Sequence, residues 1–173
     1  MQGVLNAMRV LSKTFVNIIL QKNEVKMNYS KGRKLYIAIS EIAVLAVLIT
    51  IFCLSAQNGE DSSATSGFFT RLVTALVGHS VEESIVRTLA HFCEFAVLGL
   101  LVSNLFFAIK NTPKPFFSTI LSAAYALTDE IHQIFVPGRA CQLSDWAVDF
   151  GGIVLGVAVF CVIYFIIKYK KTH

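Results

Sequence analysis

Phe116-Phe-Ser-Thr-Ile-Leu-Ser-Ala-Ala-Tyr-Ala-Leu-Thr-Asp-Glu-Ile-His-Gln-Ile-Phe135 is the stretch on which the architecture turns. Its first part, 116–128, is apolar or small-polar but too short to cross a bilayer alone. It becomes a span only by taking in Asp129, Glu130 and His132 as far as Phe135. A charge at the centre of a bilayer is unfavourable by ~2.5–3.5 kcal/mol on insertion scales. Here the charges fall at the end of the run, and the other choice strands an apolar run in solvent. We therefore read 116–135 as a membrane span.

Three further stretches are long, apolar and nearly free of charge. They are 35–54 (one acid, Glu41), 95–109 and 146–167 (one acid, Asp149). Each reaches or approaches the roughly 20 residues that cross the hydrocarbon core, the second once it is extended back to Ala90, which takes in His91 and Glu94. Hydrophobic residues make up 55% of the 173-residue chain and charged residues 15%. A soluble protein carries about a quarter charged residues. The expected fold is an all-α membrane protein, a bundle of four transmembrane helices. Residues 1–30 form a basic, amphipathic cytoplasmic segment and 31–173 the membrane domain.

The net charge of +4 follows topology and is not a nucleic-acid signal. Of the 15 Lys and Arg residues, seven precede the first span (Arg9, Lys13, Lys22, Lys26, Lys31, Arg33, Lys34). Lys110 and Lys114 lie in the middle loop, and Lys168, Lys170 and Lys171 follow the last span. Only Arg71, Arg87 and Arg139 remain for the opposite side, so both termini are expected in the cytoplasm. Glu41 then snorkels near the cytoplasmic end of the first span. Cys53, Cys93, Cys141 and Cys161 are scattered, with no metal-type spacing and no disulfide framework. Cys141 falls in an outer loop as a free thiol.

Residues 2–20 place Val4, Leu11, Phe15 and Ile18 on one helical face and Arg9, Lys13 and Asn17 on the other, a pattern suited to lying on anionic lipid. The alternative is that translation starts at Met27. Residues 68–77 repeat apolar side chains at helical spacing and are expected to form a helix in the outer loop. Ser80-Val-Glu-Glu83 has a capping-box pattern, which would start the next helix near Val81. Pro137–Gly138 should end the third helix, and Ser144 is a natural N-cap for the fourth.

Placed by depth, the polar residues converge. Arg87, His91 and Glu94 sit in the outer turns of the second span, stacked within about 60° of the helical wheel. The third span reaches Asp129 after ~20 Å of rise. There Asp129, His132 and Gln133 share an arc of about 100° with Tyr125 and Ser122, and Glu130 is expected to point elsewhere. On the fourth, Asp145, Asp149, Gly152 and Gly156 form one stripe about 60° wide. The Gly152–Gly156 step lets this helix approach a neighbour closely. Intramembrane ionisable groups face a bundle interior or a wet cavity. The expectation is one wet, mainly acidic pocket, open to the outside and rimmed by Arg87 and Arg139. Structural hydrogen-bonded pairs are the plainer reading of His91 with Glu94 and of Asp129 with His132. For the whole set that reading requires a small bundle to bury several carboxylates for packing alone, a poor source of stability.

Four runs carry a resemblance: Ser55-Ala-Gln57-Asn; Arg87-Thr-Leu-Ala-His91-Phe-Cys-Glu94-Phe; Tyr125-Ala-Leu-Thr-Asp129-Glu130-Ile-His132-Gln133-Ile-Phe-Val-Pro-Gly138-Arg139; and Ser144-Asp145-Trp-Ala-Val-Asp149-Phe-Gly151-Gly152. In this order and spacing they resemble the VanZ-like family over residues 35–167. That resemblance implies a small bacterial membrane protein. The founding member of the family is associated with low-level resistance to teicoplanin, a lipid-bearing glycopeptide antibiotic. A departure lies at Asp149, where many relatives carry Asn, which puts the need for a carboxylate there in question.

The family implies a phenotype but no agreed reaction, so the chemistry is read from the residues. The candidates for catalysis are His91, Glu94, Asp129, Glu130, His132 and Asp149. Those for ligand binding are Arg87, Gln133, Arg139, Asp145 and Gln57. Arg87 and Arg139 suit phosphate or carboxylate, and a histidine beside a carboxylate suits a general base. The expected ligand is an amphiphile: a membrane lipid, a lipid-linked cell-wall precursor or an acylated antibiotic. No cofactor is required. A divalent metal is the open alternative, since His91/Glu94 and Asp129/His132 both have i, i+3 spacing. Two other classes compete, a proton-coupled carrier using Glu94 and Asp129, and a non-catalytic membrane scaffold. A carrier needs polar residues on the inner side, and the sequence places few there.

Overall fold

The computed structural model describes residues 29–57, 82–137 and 143–172, with scattered positions between 67 and 80. The amphipathic stretch 2–20, Gly138, Arg139 and Cys141 lie outside the described residues. Four long helices make up the described chain: α1 (Lys31–Ser55), α2 (Glu83–Lys110), α3 (Pro115–Gln133) and α4 (Leu143–Thr172). Of the positions described between 67 and 76, all are helical, as the apolar spacing there predicts.

Helix boundaries follow local chemistry. Ser30 caps α1, its hydroxyl accepting from the Arg33 amide. Asn111 ends α2 in the left-handed conformation (φ 57°), with its amide on the Phe107 carbonyl. Pro115 opens α3 where a missing N–H does no harm. Two expectations about caps fail. α2 begins at Glu83 with Glu82 in the cap position, so Ser80 does not cap it. α4 begins at Leu143, which puts Ser144 inside the first turn and not at the cap; its hydroxyl donates to Asp145. α3 stops at Gln133, short of Pro137.

Three of these helices are long and apolar enough to cross a membrane: α1, α4 and α2 from Ser84 onward. By composition α3 is not among them. Apolar side chains such as Ile39, Ile42, Ile49, Val154, Val162 and Phe165 are exposed along α1 and α4, the surface expected of helices bathed in lipid.

The helices run alternately up and down. At one end Ser55 of α1 meets Asp129 of α3, and His91 of α2 meets Asp149 of α4. At the other, Arg33 of α1 reaches the last carbonyls of α2, and Phe106 packs on Phe117 of α3. Phe107 contacts Phe160 and Tyr164 of α4 nearer that second end. The core joins Val44, Leu48 and Ile51 of α1, Phe95, Leu98 and Val102 of α2, Ala126 of α3 and Ile153 of α4.

α2 and α4 form the closest pair, and glycine is the reason. A Cβ on Gly152 would collide with the backbone carbonyl of Phe92, and one on Gly156 with that of Ala96. From the other side, a Cβ on Gly99 would lie 2.6 Å from the Ile153 carbonyl oxygen. The backbones touch where side chains would otherwise stand, as small-residue steps in membrane helices permit.

Candidate functional site

The Ser55 end of the bundle gathers most of the buried charge. Asp129 is 4% exposed, Glu130 1% and Asp149 0%. Burying a carboxylate without hydrogen-bond partners costs several kcal/mol, so each needs an account.

Asp129 has one. Its Oδ2 accepts from the Ser55 hydroxyl at 2.8 Å and from the Gln133 amide nitrogen at 3.1 Å. Both donors are themselves buried. Ser55 reaches it because α1 ends there; Gln133 because it lies one helical turn on in α3. One turn below, Tyr125 donates its hydroxyl to the Leu48 carbonyl at 2.7 Å, a second tie between α3 and α1.

Asp149 faces His91, with Oδ1 3.8 Å from Nδ1. The imidazole side chain is 18% exposed and the carboxylate fully buried. Asp129, Glu130, Asp145 and Glu94 lie within electrostatic reach of Asp149. His132 stands at the edge of this group, stacked on Phe52 of α1 with ring centroids 4.5 Å apart.

Glu130 corrects the helical-wheel expectation. It does not point away from the others; it is among the most buried side chains described. α3 packs against all three of its neighbours, and its buried stripe runs through Ser118, Ser122, Ala126, Asp129, Glu130 and Gln133. That stripe is centred some 50° round from the arc drawn through Asp129 and His132. His132 falls on its margin and Glu130 inside it.

Arg87 and Glu94 are half-buried on α2, and Asp145 is half-buried in the first turn of α4, where an acid meets the positive end of the helix dipole. Gln57 follows the end of α1, its backbone N–H donating to the Leu54 carbonyl. Arg139 lies outside the described residues. Among the described residues no group of three or more His, Cys, Asp or Glu is arranged to hold a metal ion. Sequence reasoning missed Ser55 and Phe52 as partners of the site. Ser55 carried a signal, as the first residue of the Ser-Ala-Gln-Asn run; Phe52 reads as one more apolar residue of a span.

A family model described as VanZ/LLP1 matches residues 41–165, most of the chain. The chain belongs to this family. No curated protein and no solved structure matches it. The VanZ/LLP1 match runs from α1 into α4 and so contains every described residue of the cluster.

The other end of this VanZ/LLP1 chain is polar in a different way. Asn104 of α2 bonds Tyr36 and Ser40 of α1 through the two halves of its amide. Ser40, Ser103 and Ser118 each donate to a carbonyl of their own helix. Tyr29 and Arg33 occupy the carbonyls of Ala108 and Ile109, which the end of α2 would otherwise leave bare.

Proposed function

We propose that this chain is a four-span protein of the bacterial plasma membrane with both termini cytoplasmic. On this reading the Asp129–Asp149 cluster opens to the outer leaflet and holds or transforms the head group of an amphiphile. The candidate amphiphiles are a membrane lipid, a lipid-linked cell-wall precursor or a lipoglycopeptide antibiotic, with glycopeptide tolerance as the phenotype.

The observation that carries the reading is one-sidedness. Buried carboxylates and histidines from α2, α3 and α4 meet at the Ser55 end, while the polar side chains at the Arg33 end are taken up in contacts between and within helices. A site built from one leaflet suits a ligand anchored in that leaflet. A carrier needs groups along the whole path.

The fourth span is α3. Its 19 residues rise about 28 Å, close to the thickness of the hydrocarbon core. Its polar residues Asp129, Glu130 and Gln133 are buried, while Phe116, Phe117, Ile120, Leu127, Ile131 and Ile134 are exposed. The average composition looks too polar for lipid; the exposed face does not. The charge bias of the loops sets the orientation.

In this site Arg87 and Arg139 take the anionic group of the ligand. His91, with Asp149 behind its Nδ1, presents its other ring nitrogen as acceptor or base. The test is a set of variants expressed in a glycopeptide-sensitive bacterium. Glu94→Gln, Asp129→Asn and Arg139→Lys should each abolish tolerance at unchanged membrane abundance. Asp61→Asn, in the outer loop but away from the cluster, should be silent. Full tolerance in the Glu94 and Asp129 variants would overturn the proposal.

A further inference from the structure

Asp149 is a fully buried carboxylate, and neither of its oxygens accepts a hydrogen bond among the described residues. His91 Nδ1 stands at 3.8 Å, beyond hydrogen-bonding distance. Roughly nine in ten buried polar groups in native proteins have a partner. Asp129, by contrast, accepts hydrogen bonds from Ser55 and Gln133. A carboxylate with two vacant acceptors, facing a histidine and within electrostatic reach of Asp129, Glu130 and Glu94, is poised for a donor that arrives from outside the chain.

Charge selects the donor. Among the described residues, Glu94, Asp129, Glu130 and Asp149 outnumber Arg87. A purely anionic head group would add to that excess. A bare divalent ion wants several ligands held together, and no such set exists among the described residues. A quaternary ammonium has no N–H to offer and is held by aromatic cages. A primary ammonium brings one positive charge and three N–H donors, which supplies both what the cluster lacks in charge and what Asp149 lacks in partners.

We propose that the Asp149 carboxylate receives a primary ammonium group on the head group of the amphiphile, with Asp129 and Glu130 as flanking counter-charges. This rests on the amphiphile reading above and narrows it to amine-bearing head groups. The anionic part of such a zwitterion falls to Arg87.

Trp146 is the only tryptophan of the chain. It lies three residues before Asp149 and stacks on Phe150, with centroids 5.5 Å apart, so its fluorescence reports on the site. The full chain in neutral maltoside micelles is titrated with short-chain phosphatidylethanolamine, phosphatidylglycerol and phosphatidylcholine, and with O-phosphoethanolamine. Phosphatidylethanolamine should half-saturate at a concentration at least tenfold below the other two lipids. Asp149→Asn should remove that preference. Equal responses to the three lipids would overturn the ammonium assignment and leave the amphiphile reading standing. A response to O-phosphoethanolamine as strong as to the lipid would uphold the ammonium and overturn the amphiphile. No saturable response to any would overturn both. The lipid series on the unaltered protein decides even if the variant fails to fold.

Discussion

Ser55, the last residue of α1, donates a hydrogen bond from its hydroxyl to Asp129 Oδ2 near the end of α3, 74 positions further along the chain. The bond is buried at both ends, and it joins the first span to the candidate site. Removing one partner of a buried hydrogen bond to a charged group costs about 1–3 kcal/mol. Ser55→Ala should therefore lower the unfolding midpoint in detergent, and Ser55→Thr, which keeps the donor, should recover most of the loss. An unchanged midpoint for Ser55→Ala would mean that the hydroxyl does not hold α1 to α3.

The α2–α4 seam gives a sharper contrast. Gly151 and Gly156 are both glycines of α4, yet a Cβ on Gly151 would sit 3.5 Å from the Phe92 ring in ordinary contact, whereas one on Gly156 would enter the Ala96 carbonyl. Gly156→Ala must push two backbones apart, which costs about 1–3 kcal/mol or more. Gly151→Ala should be close to neutral. Thermal aggregation of the two purified variants, compared with the parent, measures the difference.

Orientation can be read from a single thiol. With Cys53, Cys93 and Cys161 replaced by alanine, Cys141 is the remaining cysteine, in the loop between α3 and α4. An impermeant maleimide should label it in intact cells. Labelling that appears only after the cells are opened would reverse the assigned topology.

Sealed vesicles test transport. Asn104, Ser40 and Ser103 are all engaged in hydrogen bonds, and no ionisable side chain joins them in the apolar run from Leu98 to Ile109. Reconstituted protein should dissipate neither a pH gradient nor a membrane potential. A proton flux that Glu94→Gln removes would establish the carrier instead.

The four helices were legible because hydrophobic runs of this length have few other destinations. The depth of the site was legible because rise per residue is fixed: Asp129, His91 and Asp149 could be set at one end by counting. Azimuth was harder. A wheel drawn for α3 alone cannot know that three neighbours press on it, so Glu130 was assigned to the wrong side. Caps were misjudged at Ser80 and Ser144 for a related reason, since a helix end settles by its tertiary contacts within a residue or two of its best local signal. Phe52 was invisible as a partner of His132 because contact across so many positions leaves no spacing to read, and Ser55 was signalled only by its place in the Ser-Ala-Gln-Asn run.

The short connection from Lys110 to Pro115 has a consequence for how the protein is made. α3 hides its acids only when α1, α2 and α4 surround it, so by itself it partitions poorly from the translocon into lipid. Held to α2 by a connection of a few residues, it can leave the channel as one half of a helical hairpin. Biogenesis would then proceed in pairs, with α1 waiting in the bilayer for the hairpin to dock and α4 sealing it through the glycine seam. A nascent chain halted before α4 should consequently be the form that quality-control proteases clear, because until that helix arrives the acidic face of the hairpin is open to the membrane.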